Sequence, residues 1–584
     1  MSTPPEHLRY AGRDGRACAN VIARADFDGD ATIAIRVPVT SAQTEPAVRD
    51  GVLAGRFFGD RHAAASASLA AFLCGSADAL AALRAWFGNG LASLCAAGLD
   101  ALQDALDRDI AAIDAALAVQ IDAVLHAPRF RQLEGRWRGL AWLVSGIKPG
   151  RRVKLRVLNI TWAELCRDLD RAPEFDRSSI FRRVYEDEFG MPGGEPYGLM
   201  VIDHAIRHRP TREAPTDDIG VLVQLSAVAA AAFMPVVLSL HPGVLEVDGF
   251  GDLGTVRDIT APLRNPDHAR WRSLAGRADM RFVSVTMPRL LARHPWADDP
   301  GRRDGFRYRE YAPNAEARVW MSAAYAFAAC AVRAFANYGW PADVRGMEID
   351  RVGGGLVTGV APEPFASGPP DAWPRVAIEY QLSESQDRAL VEAGMMPVGA
   401  LPYGPDMVFS AVRSMQAPAS YTGASAAAAE ANARLSSQVN STLCASRFAH
   451  LIKVMGRDMV GSFRTAGDIE RKLKLWLQQY VNTNIASTGE SRARFPLVEG
   501  DVQVREPPGK PGVFTCIIRL RPHYQLDDVS TTFQLVTELS APGGRSLAAD
   551  SGTLVSDRSI RRIDVAEGRQ LERGRTPVSR RQAE

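Results

Sequence analysis

Few residues of this chain have types and spacings that could do chemistry, and each such group falls short of what its chemistry needs. Gly353-Gly354-Gly355 could wrap a phosphate, but a phosphate-cradling loop continues into Gly-Lys-Ser/Thr, and here Leu356-Val357 follow. The stretch reads as a flexible loop. His204 and His208 stand four apart, a spacing that can seat a metal on one helix face. The glutamate of an H-E-x-x-H pair is missing, since Ala205 follows His204, and Pro210 closes the segment. Asp217-Asp218 and Asp298-Asp299 are paired acids in polar, turn-like settings, and read as solvated loop carboxylates. No G-x-S-x-G nucleophile elbow occurs. Cys18, Cys74, Cys95, Cys166, Cys330, Cys444 and Cys516 form no C-x-x-C and no Cys/His zinc spacing, so buried reduced thiols of a cytosolic protein are expected. No residue is assigned to catalysis, to a cofactor or to a metal.

One polar group remains. Within residues 446–460, Phe448, Leu451, Ile452, Met455 and Met459 share one helical face, and His450, Lys453 and Arg457 share the opposite one. That basic face reads either as solvated or as a contact for an acidic partner, and nothing local decides between the two.

The elements that must position these residues belong to a long globular chain. Its 584 residues suffice for several domains, 46% are hydrophobic and 23% charged, and the net charge of +2 gives no basic field for nucleic acid. The first thirty residues lack the apolar core of a secretory signal, and no apolar run reaches the length of about 18 that a membrane helix needs. A cytoplasmic protein without membrane insertion is expected.

Ala31–Val39 alternates loosely as a strand would, and residues 63–97 are Ala-rich and favour helix. Leu102, Leu106, Ile110, Ile113, Leu117, Ile121 and Val124 then form a heptad-like seam on a long helix, which wants a partner helix from this chain or another. Pro128 ends it, and Leu133, Trp137 and Leu140 stripe the next helix. Val153–Ile160 reads as a strand, followed by a helix with Thr161 and Glu164 in capping-box spacing. Short apolar runs at 198–203, 234–240 and 281–287, alternating with helical segments, predict a buried parallel or mixed sheet. Residues 316–338 read as a helix apolar nearly all round, placed in the core. Beyond the Ala/Ser-rich boundary at 417–430 come two amphipathic helices, then strands at 513–520 and 531–539. The fold class is α/β with α+β elements. Expected domains are a divergent, partly helical extension (1–100), an α/β domain (101–416), a helix-plus-strand domain (417–540) and a disordered Arg-rich tail (541–584).

Taken in order, several blocks resemble one family, the large subunit of the type VI secretion contractile sheath, itself similar to phage tail sheath proteins. Phe130-Arg131-Gln132-Leu133-Glu134-Gly135-Arg136-Trp137-Arg138-Gly139-Leu140 is similar to its F-x-Q-L-E-x-x-W-R-G-L helix. Val184-Tyr185-Glu186-Asp187-Glu188-Phe189-Gly190, followed by Gly193-Gly194-Glu195-Pro196-Tyr197-Gly198, resembles its acidic-aromatic stretch and G-G-x-P-Y-G turn. Arg289–Trp296, Gly339-Trp340 and Arg345-Gly346 fall in family order. Ser446–Asp458, continuing to Gly461-Ser462-Phe463, resembles R-F-x-H-x-x-K-V-x-x-R-D-x-x-G-S, and Arg519–Leu526 closes the match.

The resemblance implies a structural, non-enzymatic subunit that pairs with a small sheath subunit. The heterodimers stack as a six-fold helical tube around inner-tube hexamers, standing on a baseplate. An AAA+ unfoldase recognises an N-terminal helix on contracted sheaths; Phe72–Phe87 is the candidate counterpart in a region, 1–100, that departs from the family pattern. A paralogue, or the sheath of another phage-like contractile injection particle, is the alternative. Exchanged strands would link neighbours, with Phe514, Cys516, Ile518, Phe533 and Leu535 on the receiving strands. His450, Lys453 and Arg457 would face an interface, possibly with the inner tube.

Overall fold

The computed structural model describes residues 48–53, 67–74 and, with interruptions, 78–523, together with 533–539 and 564–565. The expected strand at 31–39 and most of the Arg-rich tail lie outside the described residues. The chain divides into two compact units, Met1–Ala123 and Val124–Glu584.

In the first unit, the helices Ala67–Cys74, Ala79–Phe87 and Leu91–Ala97 precede the long helix α1 (Leu99–Leu125). Phe72–Phe87 is thus split between two helices. The first part of the seam finds a partner in its own chain: Leu102, Leu106 and Ile113 pack on a small core of Trp86, Phe87 and Leu91, while Ile110 and Val124 stay exposed. Asp109 fixes the register by accepting from Trp86 Nε1 at 2.8 Å and Arg49 Nε at 2.9 Å.

The second unit is built on a parallel sheet of β1 (Met200–Ile206), β2 (Val236–Leu240), β3 (Val283–Met287) and β4 (Met396–Pro397), side by side in that order. Parallel strands need a crossover, and the helix Asp218–Ala232 makes the first. Alternate residues of β2 serve two cores. Val236, Leu238 and Leu240 pack with Leu222, Leu225 and Ala229 of that helix, while Val237 packs with Ala324 and Phe327 of the helix Ala323–Tyr338 on the other face. Cover on both faces explains the continuous apolar runs in the sequence. The second helix begins seven residues later than its apolar pattern suggests. Trp320-Met321 pairs with Leu290-Leu291 as a strand, and Ser322 Oγ then caps the helix by accepting from Ala324 N at 3.0 Å.

Labelled in chain order after α1, the helices that matter below are α2 (Pro128–Ser145), α3 (Trp162–Arg171), α4 (Asp218–Ala232), α5 (Ala323–Tyr338), α6 (Val439–Met459) and α7 (Ala466–Gln478). The capping box at Thr161 and Glu164 starts α3. The C-terminal strands β5 (Leu497–Arg505), β6 (Phe514–Pro522) and β7 (Phe533–Leu539) form an antiparallel sheet, joined at its β7 edge by Asp564-Val565. Val153–Ile160, expected as a strand, has no helical turn and no bend but forms no ladder among the described residues, so it is not a strand of any sheet there.

Several polar groups prove to be structural. Asp218 is buried at the start of α4, accepting from Trp162 Nε1 (2.7 Å), Thr216 Oγ1 (2.8 Å) and Arg207 N (2.9 Å), with His204 Nε2 at 3.3 Å. This corrects the solvated-loop reading for Asp218; Asp217 is exposed and takes Arg270 at 2.6 Å. His204 stacks on Trp162 and His208 on His268, so the two histidines do not converge. The glycine triplet is a tight crossing rather than a slack loop. Gly355 N donates to Gly346 O at 2.7 Å and Phe409 N donates to Gly355 O at 3.0 Å, and a Cβ on Gly355 would meet Phe409 O at 2.4 Å. Cys166, Cys330, Cys444 and Cys516 are buried, which pushes their thiols up to about 12, 11, 12 and 12; Cys95 is exposed.

One buried ion network joins two motif blocks. Arg293 donates from Nε to Glu134 at 2.6 Å, from Nη1 to Glu310 at 2.5 Å, and from Nη2 to both carboxylates at 3.2 Å. Arg138 adds a bond to Glu134 at 2.7 Å, and Trp296 N donates to Glu310 at 2.9 Å. Burial raises both carboxyls, but the bonds from Arg293 outweigh it and hold them below the ordinary glutamate range. Replacing Arg293 by Met leaves two carboxylates together in a buried site, which costs about 3–5 kcal/mol at pH 7. The sign with pH follows. In the native chain the depressed carboxyls contribute stability above pH ~4.5 that is lost as pH falls through their folded values. In the variant they are raised instead, so urea unfolding should show the deficit shrinking between pH 7 and pH 5. An equal deficit at both would refute the network.

Candidate functional site

The basic face of α6 is where sequence reasoning placed an interface, and the structure places it inside the chain. The partner is the bent helix over residues 179–189, which runs as α-helix at Ser179–Phe181, widens to one π turn at Arg182–Glu186 and returns to α-helix at Asp187–Phe189. His450 is buried, and its Nε2–H donates to the carbonyl of Ala232 at 2.9 Å. That carbonyl belongs to the last turn of α4, which ends with Phe233 in the left-handed region at φ 50°. A helix leaves its final carbonyls without intrahelical donors, and His450 supplies one. Burial lowers the imidazole to about 4, so it is neutral, with the proton on Nε2. Arg457 does the same for the bent helix, donating from Nη1 to Met191 O at 2.9 Å and reaching Phe189 O at 3.5 Å.

Between them lies Lys453. Its ammonium is 5.0 Å from the ring centres of Tyr185 and Phe233 and 5.2 Å from that of Phe189, and donates to Tyr185 Oη at 3.3 Å. Burial lowers its pKa to about 8. The three ring faces act the other way, returning part of the lost hydration as cation–π attraction. The apolar face of the same helix is anchored too. Phe448 stacks on Trp340 at 4.2 Å, and Trp476 and Tyr480 close around the pair. The motif is therefore an internal joint, which corrects the reading of an outward basic face. Amphipathic counting sends Lys, His and Arg outwards; the aromatic partners that hold Lys453 inside lie more than 200 residues away.

The residues proposed on receiving strands also sit deeper than expected. Cys516 and Ile518 are fully buried, and Phe514 is half-buried against the same core. Their strand, β6, is flanked within its own chain by β5 on one side and β7 on the other, so it has no edge to offer. In β7, Phe533 pairs with Leu520 and Leu535 with Ile518 along the backbone; the side chains of β7 lie outside the described residues. The outer edge of β5 has only the bridge between Val481 and Leu497.

The apolar stripe read from the sequence on α2 turns outwards, a direction the sequence did not give. Leu133 is 52% exposed and Trp137 62%, with Phe130 and Val144 also exposed. The inward face is Gly135, Gly139 and Leu143. A Cβ on Gly135 would meet the Trp320 carbonyl oxygen at 2.1 Å, and one on Gly139 the Tyr325 ring at 2.6 Å. Two glycines four apart, facing the core, were the available signal. An exposed apolar stripe of this kind marks a contact surface rather than a catalytic one. Among the described residues no group of three or more His, Cys, Asp or Glu could hold a metal ion, and no single helix is long and apolar enough to cross a membrane.

Two outcomes test the joint. Lys453→Met, which keeps the stem and the apolar contacts, should change stability by no more than about 1 kcal/mol, whereas Lys453→Glu buries an anion against ring faces and should cost about 3–5 kcal/mol; thermal melts of both variants decide. Because the folded imidazole of His450 is depressed below its unfolded value of 6.5, its contribution is present above that pH and lost as pH falls from 6.5 towards 4. His450→Gln should remove about one proton from the acid slope of unfolding, and an unchanged slope would contradict the buried neutral histidine.

Residues 107–416 match the family model described as EvpB/VC_A0108, tail sheath N-terminal domain, and residues 428–539 match the EvpB/VC_A0108 tail sheath gpW/gp25-like domain. The type VI secretion system sheath protein TssC1 of Pseudomonas aeruginosa is 33% identical over 439 residues, covering 74% of this chain and 86% of that protein. Both joints fall within these matched ranges, and the chain belongs to the EvpB/VC_A0108 tail sheath family of the type VI secretion system.

Proposed function

We propose that this chain is the large subunit of a type VI secretion contractile sheath, made and used in the cytoplasm. It pairs with a smaller sheath companion, and the pairs stack head-to-tail into a six-fold helical tube around an inner tube. Heterologous contacts of that kind do not close on themselves and so build filaments. Contraction is a rigid-body change from one packing of the same subunits to another, and it propels the inner tube. No nucleotide is consumed by this chain; a separate AAA+ unfoldase resets the contracted form, and a baseplate holds the extended one. The observation that carries the reading is the 33% identity to a sheath protein over three quarters of the chain. Two features of the molecule support it. The chemistry-bearing motif residues are spent on internal joints, and α2 turns an apolar stripe outwards.

The link between neighbouring subunits runs through sheet edges rather than through β6. A proline at Ile517 would break a strand paired on both sides in its own chain, so it would report on folding. Assembly is tested directly. Co-expressed with a small sheath protein of the same system, this chain should yield hollow, six-fold fibres by electron microscopy. A stable soluble 1:1 pair that forms no fibres at any protein or salt concentration would overturn the polymerisation, and a chain that stays monomeric would overturn the pairing.

A further inference from the structure

Three parallel strands end level, and a basic or imidazole side chain follows each. Ile206 pairs with Leu240 and Ser239 with Thr286, so β1, β2 and β3 stop side by side. Arg207 is the first residue past β1, His241 the first past β2 and Arg289 the second past β3. Neighbouring strands stand about 4.8 Å apart. His241 N still donates to Ile206 O at 3.0 Å, so the three residues form a short row with His241 in the middle. The carboxyl ends of parallel strands are where α/β folds take their ligands.

This row holds donors that the chain leaves unused. His241 Nδ1 accepts from Gly243 N at 3.0 Å, which puts the imidazole proton on Nε2, and Nε2 has no partner among the described residues. Arg207 is bonded through its backbone N, to Asp218 at 2.9 Å, while its guanidinium makes no hydrogen bond or ion pair among the described residues. Arg289 spends Nε and Nη2 on Glu379, both at 2.6 Å, and keeps Nη1. Arg131 of α2, which burial and then the charge of Arg289 lower, has a buried Nε without a partner. The nearby carboxylates are engaged, Glu379 by Arg289 and Asp218 by Trp162, Thr216 and His204. The surroundings are accordingly positive: burial, then Arg207, Arg289 and His204, push His241 down to about 4 against the weaker pull of Asp218. The start of α5 adds to this. Its N-cap Ser322 has Oγ 2.5 Å from that of Ser239, on the face of β2 that His241 shares, and brings the positive end of the helix dipole there. The row is also reachable, since Arg207 and His241 are half-buried and the Arg289 side chain is 41% exposed.

We infer that Arg207, His241 and Arg289 bind a phosphate group, free or as a monoester, with Arg207 as the principal contact. The donors come from three strands rather than from one fork, which suits an acceptor with three or more oxygens. A carboxylate offers two coplanar oxygens and is matched by a single guanidinium edge, as Glu379 is by Arg289. This inference goes beyond the sheath reading and makes no use of it.

The test titrates the full chain with inorganic phosphate and with glycerol phosphate, at pH 7 and constant ionic strength, by calorimetry and thermal melts. One saturable site is expected, with a melting temperature that rises as phosphate is added. Arg207→Gln removes a guanidinium that holds nothing in the chain. Its melt without phosphate should match the native one, while its phosphate affinity falls at least about tenfold. Arg270→Gln, at an exposed arginine paired with Asp217, should bind like the native chain. Tighter binding of glycerol phosphate supports the site with an esterified ligand, and tighter binding of phosphate supports it with a free ion. No saturable binding, or native-like binding by Arg207→Gln, overturns the site. An equal rise in melting temperature with chloride marks an adventitious ion only, and overturns it as well. Companion pairing and fibres are measured apart, so none of these outcomes bears on the sheath reading.

Discussion

Every α-helix that ends inside a protein leaves carbonyl groups that need donors, and at two helix ends of this chain side chains of one helix, α6, supply them. His450 serves the last turn of α4, and Arg457 serves the end of the bent helix at 179–189. Lys453 lies between them among the rings of Tyr185, Phe189 and Phe233, so three residues spaced three and four apart along α6 meet both helix ends. The dependence is geometric. If α6 turned by one residue, both carbonyls would lose their donors and an ammonium would be driven into an apolar wall. The parallel sheet feels this directly, because α4 is the crossover between β1 and β2.

The chain buries charge in two different ways, and the difference is instructive. Arg293 is held by two carboxylates and a fork of short hydrogen bonds, so its charge is more than matched and the cost of burial falls on removing either side. Lys453 has no carboxylate partner; ring faces and one phenol hold it, and burial brings its pKa down to about 8. The first arrangement fixes orientation through the planar guanidinium and its bidentate partners. The second tolerates small shifts, because ring faces attract a cation from many directions. The arginine network is thus the stiffer of the two, and it joins α2 to the loops on either side of Glu310.

Much of this was legible in the residues. The parallel sheet follows from short apolar runs, the capping box of α3 from Thr161 and Glu164, and the packed first part of the helix seam from its heptad spacing. The sites were less so. Periodicity assigns each residue to a face of its own helix, and says nothing of what lies opposite. His450 and Arg457 are polar by type, yet their bonds go to backbone carbonyls, which no side-chain pattern reveals. Glu134 and Arg293 meet across 159 residues. Asp218 looked solvated because its neighbour Asp217 is, although the two lie on opposite sides of the start of α4 in their contacts, one to Trp162 and His204 and the other to Arg270.

The outward faces invert the usual rule, and the reason lies in what the inward faces must do. On α2 the positions that meet the core are Gly135 and Gly139, because Trp320 and Tyr325 come too close for any side chain. The helix therefore gains little from burying its own apolar residues, and Leu133 and Trp137 remain in water at a cost of order 25 cal/mol per Å². The segment Val153–Ile160 repeats the pattern outside any ladder: Lys154 and Arg156 tie it to Glu195 and Tyr197 at the surface, while Val157 and Leu158 stay exposed. A monomer gains nothing from either arrangement. Both would become favourable if another chain supplied the missing contacts, which is what the proposed assembly provides.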